Sequence, residues 1–392
     1  MAIQLPLPHG GSLVNCMLTS TQQREFADLI PQIPSLELTP RQSCDLELIL
    51  NGGFSPLQGF VTEQDYFSIL ENNRLSSGVL WPIPITLAVN DNFAKKLDSH
   101  DYLALRKGPR LLAIMTLEAI WTPNKTFEAQ SVFGTTDLSH PGVRTLFNET
   151  GNTYLGGRVF GFDYPNHPSQ ELHFSPAQLR QFFKERGWDQ VVAFQTRNPL
   201  HRAHVELIIR AREKLGTGIL LHPVVGPTKQ GDIAPEIRIN CYQAVLPRFP
   251  KAAVKLSLLP LAMRMAGPKE ALWHGIIRKN YGCSHFIVGR DHAGPGVDGN
   301  GKPFYSPYAA QEFVASVEKE LGITMAAFSE MVYVEELAAY QEIEQVAKEH
   351  TILKISGTQL REMQRNGEPI PSWFSYPEVI EQLWENRVCS IR

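Results

Sequence analysis

The sequence predicts an α/β protein: a parallel, doubly wound sheet in the middle of the chain, a β-rich region before it and a small mixed lobe after it. Three observations carry this reading. From Ser175 onward, short apolar runs alternate with helical periods, the pattern of successive βα units. Before that point the apolar runs are short and broken by Gly, Pro, Asn and Asp, as in small strands joined by turns. Two of the strand ends in the middle region run into charged, turn-forming loops, and ligands bind at such ends of a parallel sheet.

Taken in order, residues 1–168 form the β-rich region, with strands expected over 81–89 and 102–105. A proline-rich stretch over 165–176 reads as a linker. Residues 169–327 carry the parallel sheet. Strands are expected over 191–195, 219–225, 253–258 and 285–289, with helices over 199–215, 235–246 and 268–279 between them. Residues 328–392 form the third, small domain.

The bulk properties bound the function. A chain of 392 residues is long for one core and suits two or three domains. A hydrophobic fraction of 43% and a charged fraction of 20% are ordinary for a globular protein. The formal net charge is −3 with no basic run, which argues against nucleic acid as a partner, because that binding needs a positive footprint. No apolar run approaches the ~18–20 residues of a membrane span, and the N-terminus lacks the basic and apolar segments of a leader. Cys16, Cys44, Cys241, Cys283 and Cys389 are scattered without a CxxC pair. These features point to a cytoplasmic protein with no membrane partner, no disulfide framework and no zinc knuckle.

The first chemistry-bearing run is Gln195-Thr196-Arg197-Asn198-Pro199-Leu200-His201-Arg202-Ala203-His204. It sits where a strand gives way to a helix. Asn198 suits the N-cap and Pro199 the first helical position. Arg197 and a helix start at the edge of a parallel sheet favour an anion. His201 and His204 share one helical face. A zinc pair or two surface histidines is the plainer alternative, but zinc proteases space their pair by four around a Glu that is missing here. The second run follows the apolar 285–288 segment: Gly289-Arg290-Asp291-His292-Ala293-Gly294-Pro295-Gly296. Arg290 adds a second guanidinium, and the glycines let backbone approach a ligand. A plain turn with a surface Arg–Asp pair is the alternative. Gly294-x-Gly296-x-x-Gly299 mimics a dinucleotide fingerprint, but four residues separate it from the strand and no helix follows directly. Gly296 to Lys302 mimics a P-loop, but Pro303 stands where Ser or Thr is required.

At these two runs the sequence resembles the ATP sulfurylase (sulfate adenylyltransferase) family. The likeness extends to Gly52-Gly53-Phe54-Ser55-Pro56-Leu57, to the 222–226 and 261–268 segments and to Ile355-Ser356-Gly357-Thr358-Gln359-Leu360-Arg361. It implies a PUA-like N-terminal domain, a Rossmann-like catalytic domain and a small C-terminal α/β lobe. It implies that ATP and sulfate give adenylyl sulfate (APS) and pyrophosphate, the first step of sulfate activation. Thr196, Arg197 and Asn198 are then the catalytic run, and His201 and His204 stabilise the transition state at the departing phosphates. Gln195, Arg197, Asn198, Gly289, Arg290, Asp291, His292 and Met331 bind ATP, while Gln195, Arg197 and Ala293 bind sulfate. Mg²⁺ arrives with ATP, and a homo-oligomer is expected. Some members carry a Cys/His zinc site soon after the second run. No Cys stands between Gly296 and Phe328, so no zinc is expected. Other members end in a kinase-like domain, and none is expected here after residue 392.

The proposed chemistry fits the residue types. Sulfate has no proton to lose, so the reaction needs charge neutralisation and an in-line geometry rather than a general base. Two segments stay open between a structural and a functional reading: the 228–232 loop, and Ser356, a helix cap with Arg361 one turn along. Two rivals differ in kind. One is an HxxH adenylyltransferase with another acceptor, which is usually a short single domain. The other is a non-catalytic binding protein, which the near-neutral charge disfavours.

Overall fold

The computed structural model describes residues 3–97, 102–229 and 231–389. Its centre is a five-stranded, all-parallel sheet. We label its strands β1 (Val191–Phe194), β2 (Gly218–Leu221), β3 (Val254–Leu256), β4 (His285–Val288) and β5 (Thr324–Ala327). The helices between them are α1 (Arg202–Leu215), α2 (Pro235–Val245), α3 (Gly267–Asn280) and α4 (Ala309–Leu321). The spatial order is β3-β2-β1-β4-β5, so the direction of travel reverses between β1 and β4. Val192 pairs with Ile219 on one side and with His285 on the other. All four residues of β1 are buried, as a strand covered on both faces requires. A doubly wound sheet binds ligands at this switch point, outside the carboxyl ends of its strands. Gln195 leaves β1 there, and Gly289 leaves β4.

Before this sheet, a seven-stranded sheet runs through residues 35–161. The strand expected over 81–89 shrinks to Leu87–Val89. Pro82 and Pro84 cannot donate to a ladder, and the Trp81 indole instead caps the Ile83 carbonyl at 2.7 Å. The Gly52 to Leu57 segment serves the junction with the parallel sheet. Asn280 of α3 donates to the carbonyls of Gly53 and Ser55, each at 3.0 Å. Phe54 packs on Trp273 with ring centroids 5.1 Å apart. Gly52 has a φ of 86°, and a Cβ there would come within 2.4 Å of the Val14 carbonyl oxygen. The expected linker over 165–176 is no spacer. It holds a 3-10 turn at Gln170–Leu172, its last residue opens the helix Pro176–Arg186, and His167 bonds Glu47 at 2.5 Å.

After the parallel sheet, Met331–Val334, Ala339–Glu342 and Ile352–Leu353 form a small antiparallel sheet. Two helices follow, Gly357–Asn366 and Pro377–Cys389. Ser356 caps the first of these by accepting the Gln359 N–H, so its observed work is structural. The side chain of Arg361 lies outside the described residues. Among the described residues, no helix is long and apolar enough to cross a membrane, and Cys16, Cys44, Cys241 and Cys283 are free thiols.

Candidate active site

The first loop is built by its own hydroxyl and by α2. Thr196 Oγ1 accepts the Asn198 N–H at 3.0 Å and donates to the Asn198 carbonyl at 2.9 Å. This local turn competes with helix formation. The helix therefore does not start at Pro199 with Asn198 as N-cap. It starts at Arg202, with His201 as N-cap in an extended conformation. From α2, Tyr242 donates its hydroxyl to the Asn198 carbonyl at 3.0 Å. Arg238, almost fully buried, donates to the carbonyls of Arg197 (3.1 Å), Val224 (2.7 Å) and Ile233 (2.9 Å). The Val224 N–H holds the Thr196 carbonyl at 2.9 Å, which extends the β1–β2 register past both strand ends. The expected strand over 219–225 ends at Leu221 and resumes only as an isolated parallel bridge between Val224 and Leu259.

Arg197 is mostly buried and reaches Asp232, with Nη1 at 2.5 Å from each carboxylate oxygen. The 228–232 loop thus folds onto the site rather than standing in solvent. Gln230 lies outside the described residues. His201 is buried, and its Nδ1 lies 2.9 Å from the Ser375 hydroxyl. The His201 N–H donates to His204 Nδ1 at 3.1 Å, which leaves the single proton of a neutral His204 on Nε2. Burial, helped by His204, pushes His201 down to about 3, and burial alone takes His204 to about 4. Both imidazoles are therefore neutral donors near neutral pH rather than cations.

Arg197, Asn198, His201, His204, Lys229, Asp232 and Met331 all line one cavity of about 410 Å³. Its far wall is the C-terminal lobe. Tyr333 stacks on Trp373 with centroids 5.3 Å apart, and Phe374 lies 4.6 Å from the His201 ring. The size and the mix of apolar wall and polar floor suit a nucleotide.

Gln195 and the second loop, Gly289 to Ala293, do not line this cavity but adjoin it. Lys229 Nζ donates to the Pro295 carbonyl at 3.3 Å. Burial raises the Asp291 carboxyl, while Arg290, Arg197 and Lys229 pull it down, so these charges share one neighbourhood. Asp291 and Ala293 adopt φ values of 52° and 53°, uncommon for residues with a Cβ. Arg290 is exposed. Behind the loop, His292 is 3.0 Å from His274, which is 3.4 Å from Gln195.

Sequence reading missed Asp232 as the partner of Arg197, and Arg238, Tyr242 and Ser375 as supports. Only the loop containing Asp232 gave a signal. As for metals, Glu47, His167 and His173 bring ligand atoms within 4.8 Å of one another. The two imidazoles are stacked face to face, 4.3 Å apart and 7° from parallel, so one ion cannot lie in the plane of both rings as they stand.

A parallel sheet whose switch point joins a guanidinium, neutral imidazole donors at a helix start and a cavity of nucleotide size defines a nucleotide-dependent transferase. Comparison with known proteins carries this further. The ATP-sulfurylase family model matches residues 170–386, and a PUA-like domain model matches residues 6–164. A sulfate adenylyltransferase of Schizosaccharomyces pombe is 52% identical over 355 residues, covering 90% of this chain and 72% of that one. That of Saccharomyces cerevisiae is 48% identical, covering 97% and 76%. The structure of a hexameric APS kinase from Thiobacillus denitrificans superposes with a TM-score of 0.79 at 32% identity, over 97% of this chain and 69% of that one. The chain belongs to the ATP-sulfurylase family, a family of nucleotidyltransferases.

Proposed function

We propose that the switch-point site transfers the adenylyl group of ATP to sulfate, giving adenylyl sulfate and pyrophosphate. The observation that carries this assignment is the placement of Arg197, His201 and His204 on one cavity wall at the start of α1. Sulfate attacks the α-phosphorus in line. Arg197 clamps the incoming dianion. Its one described side-chain hydrogen-bond partner, Asp232, is held through Nη1, so the anion takes the remaining guanidinium edge or displaces the carboxylate. Thr196 and Asn198 shape the turn that presents Arg197. His201 and His204, as neutral N–H donors, stabilise charge growing on the departing pyrophosphate. Gln195 and the Ala293 backbone contact sulfate. Asn198, Met331 and Gly289 to His292 contact the nucleotide.

Mg²⁺ fits this site as an ion carried by ATP. The carboxylates on the cavity wall are each engaged, Asp232 by Arg197 and Glu330 by Lys354 at 3.2 Å. That supports an ion held by phosphates and water rather than by a protein cage. Three domains divide at 168 and 327. The break between the seven-stranded and five-stranded sheets supports the first boundary, and the change to an antiparallel sheet supports the second. The hexameric state named for the Thiobacillus denitrificans neighbour supports a homo-oligomer, and the free thiols support a cytoplasmic location.

The test is isotope exchange between pyrophosphate and ATP. Exchange that requires sulfate is expected, with release of AMP and pyrophosphate from ATP when molybdate replaces sulfate. Exchange supported instead by nicotinate mononucleotide or phosphopantetheine would assign another acceptor.

A further inference from the structure

The Gln195 amide rests against a buried pair, Glu270 and His274, that the reaction above does not use. Glu270 and His274 lie one turn apart on α3, both fully buried. Glu270 accepts the backbone N–H groups of Arg264 and Ala266, each at 2.9 Å, and its Oε1 is 3.4 Å from His274 Nε2. Burial raises its carboxyl, but His274 and the two N–H groups more than offset that, so it is ionised. His274 Nδ1 is 3.0 Å from His292 Nε2. Burial pulls His274 down to about 4, so it carries one ring proton near neutral pH.

The position of that proton follows from its neighbours. An ionised carboxylate is acceptor-only, so a lone pair on His274 Nε2 would oppose it. The proton therefore sits on Nε2, and Nδ1 accepts from His292. The same Nε2–H faces the Gln195 amide at 3.4 Å, while the amide's other end, buried, has no hydrogen-bond partner. An amide nitrogen beside His274 sets donor against donor and orphans the oxygen. Exchanging the two ends, which have nearly the same shape, removes the opposition at His274 and leaves the NH₂ as an unpartnered donor that only an acceptor such as an anion would satisfy.

We propose that Glu270 and His274 are positioning residues that turn the Gln195 oxygen toward His274 and its NH₂ toward the acceptor anion, so that the pocket selects fully deprotonated oxyanions. Sulfate and selenate carry no proton and welcome one more donor. Hydrogen phosphate carries a proton that needs an acceptor, which the oriented amide withholds. The inference rests on the reading that Gln195 contacts sulfate.

The test is a set of variants assayed for sulfate KM, ATP KM, and inhibition by phosphate and selenate. Gln195→Ala should raise sulfate KM roughly tenfold or more, the loss of one hydrogen bond to a charged group, with ATP KM little changed. Glu270→Gln frees the His274 tautomer. It should raise sulfate KM similarly and strengthen phosphate inhibition relative to selenate. Glu270→Gln combined with Gln195→Ala should be no worse than Gln195→Ala alone. His274→Gln, which keeps an N–H, should recover part of what His274→Ala loses, and a merely structural role would not show that recovery in KM. An unchanged sulfate KM in Gln195→Ala would overturn the sulfate reading and this inference with it. A raised KM in Gln195→Ala beside a normal KM in folded Glu270→Gln and His274→Ala would overturn this inference alone. Where the buried variants do not fold, ¹⁵N-histidine spectra of the wild-type protein decide: an Nε2–H tautomer for His274 supports the proposal, and an Nδ1–H tautomer overturns it.

Discussion

The loops that leave β1 and β4 emerge side by side at the switch point, yet they are held in different ways. The 195–201 loop is held from outside. Tyr242 and Arg238 of α2 grip its carbonyls, and Ser375 of the C-terminal lobe meets His201. The 289–296 loop is held mainly through main-chain bonds, one within the loop and others to its neighbours at Gly267, Phe304 and Pro307. It takes two left-handed turns at Asp291 and Ala293, the Asp291 N–H is bonded to the Pro307 carbonyl at 2.7 Å, and the Gly294 N–H bonds back to the Asp291 carbonyl at 3.1 Å. The first loop is coupled through side chains to the C-terminal lobe and to the Asp232 loop, whereas the second meets the Asp232 loop through Lys229 and the Pro295 carbonyl.

The largest effect should come from the first loop. Arg197→Ala is expected to reduce sulfate-dependent turnover by at least roughly 10²–10³-fold, as for loss of a principal charge-stabilising donor. The circular dichroism spectrum should be unchanged, because only Asp232 is left unpaired. Normal turnover in a folded Arg197→Ala protein would remove Arg197 from the anion site. His201→Ala and His204→Ala should lower kcat more than they raise ATP KM, since their work is on the leaving group.

Acid should strain the first loop next. His201 and His204 are held near 3 and 4, below the ordinary 6.5. Between pH 6.5 and about 4 the unfolded chain takes up protons that the folded chain refuses, so stability is full above pH 6.5 and falls as the pH drops below it. Each group contributes about 1.4 kcal/mol per pH unit in that window. His201→Gln should make the fall from pH 6.5 to 5 shallower by about that amount per pH unit, measured by urea unfolding. An unchanged slope would mean that His201 is already charged in the folded protein.

How much of this was legible in the sequence follows from the same contrast. The sheet, the two loops and their polar residues could be read, because each signal is local: an apolar run ending in Gln195 or Gly289. The helix start was misplaced by three residues. Asn198 and Pro199 have the right chemistry for a cap and a first turn, but the Thr196 hydroxyl, two residues away, takes the Asn198 N–H first. The supports could not be read at all. Tyr242 meets Asn198 across 44 residues of chain, and Ser375 meets His201 across 174. Nothing in their own neighbourhoods marks them. His201 and His204 were visible as a pair, but their neutrality was not, because it comes from burial under Phe374 and the C-terminal lobe.

The second loop offers a sharper test of self-support. A Cβ on Gly294 would come within 1.9 Å of Asp291 Oδ1. The clash is with a side-chain tip, so the carboxylate can swing away at a modest cost, about 1 kcal/mol. Gly294→Ala should therefore fold but displace Asp291, with a drop in turnover of about tenfold. Asp291→Ala removes the clashing group. In the Asp291→Ala background, Gly294→Ala should cost no further stability by thermal melting. An equal cost in both backgrounds would place the constraint on the backbone rather than on the Asp291 side chain.

The smallest effect tests the first loop's outside support. Tyr242→Phe deletes one hydroxyl and leaves the ring packed in place. The Asn198 carbonyl keeps the Thr196 hydroxyl as a donor at 2.9 Å, so it is not left bare. The expected cost is then the net worth of one neutral hydrogen bond, about 0.5–1.5 kcal/mol. Arg238 still holds the Arg197 carbonyl, so the loop should loosen without collapsing, and kcat should fall less than tenfold. The informative measurement is the pair of variants. Combining Tyr242→Phe with Thr196→Val removes both donors to the same buried carbonyl. The double variant should lose more than the sum of the singles, since only then is the Asn198 oxygen orphaned. Strict additivity would mean that the two hydroxyls act on the loop independently, and that α2 is no more than a neighbour to the catalytic turn.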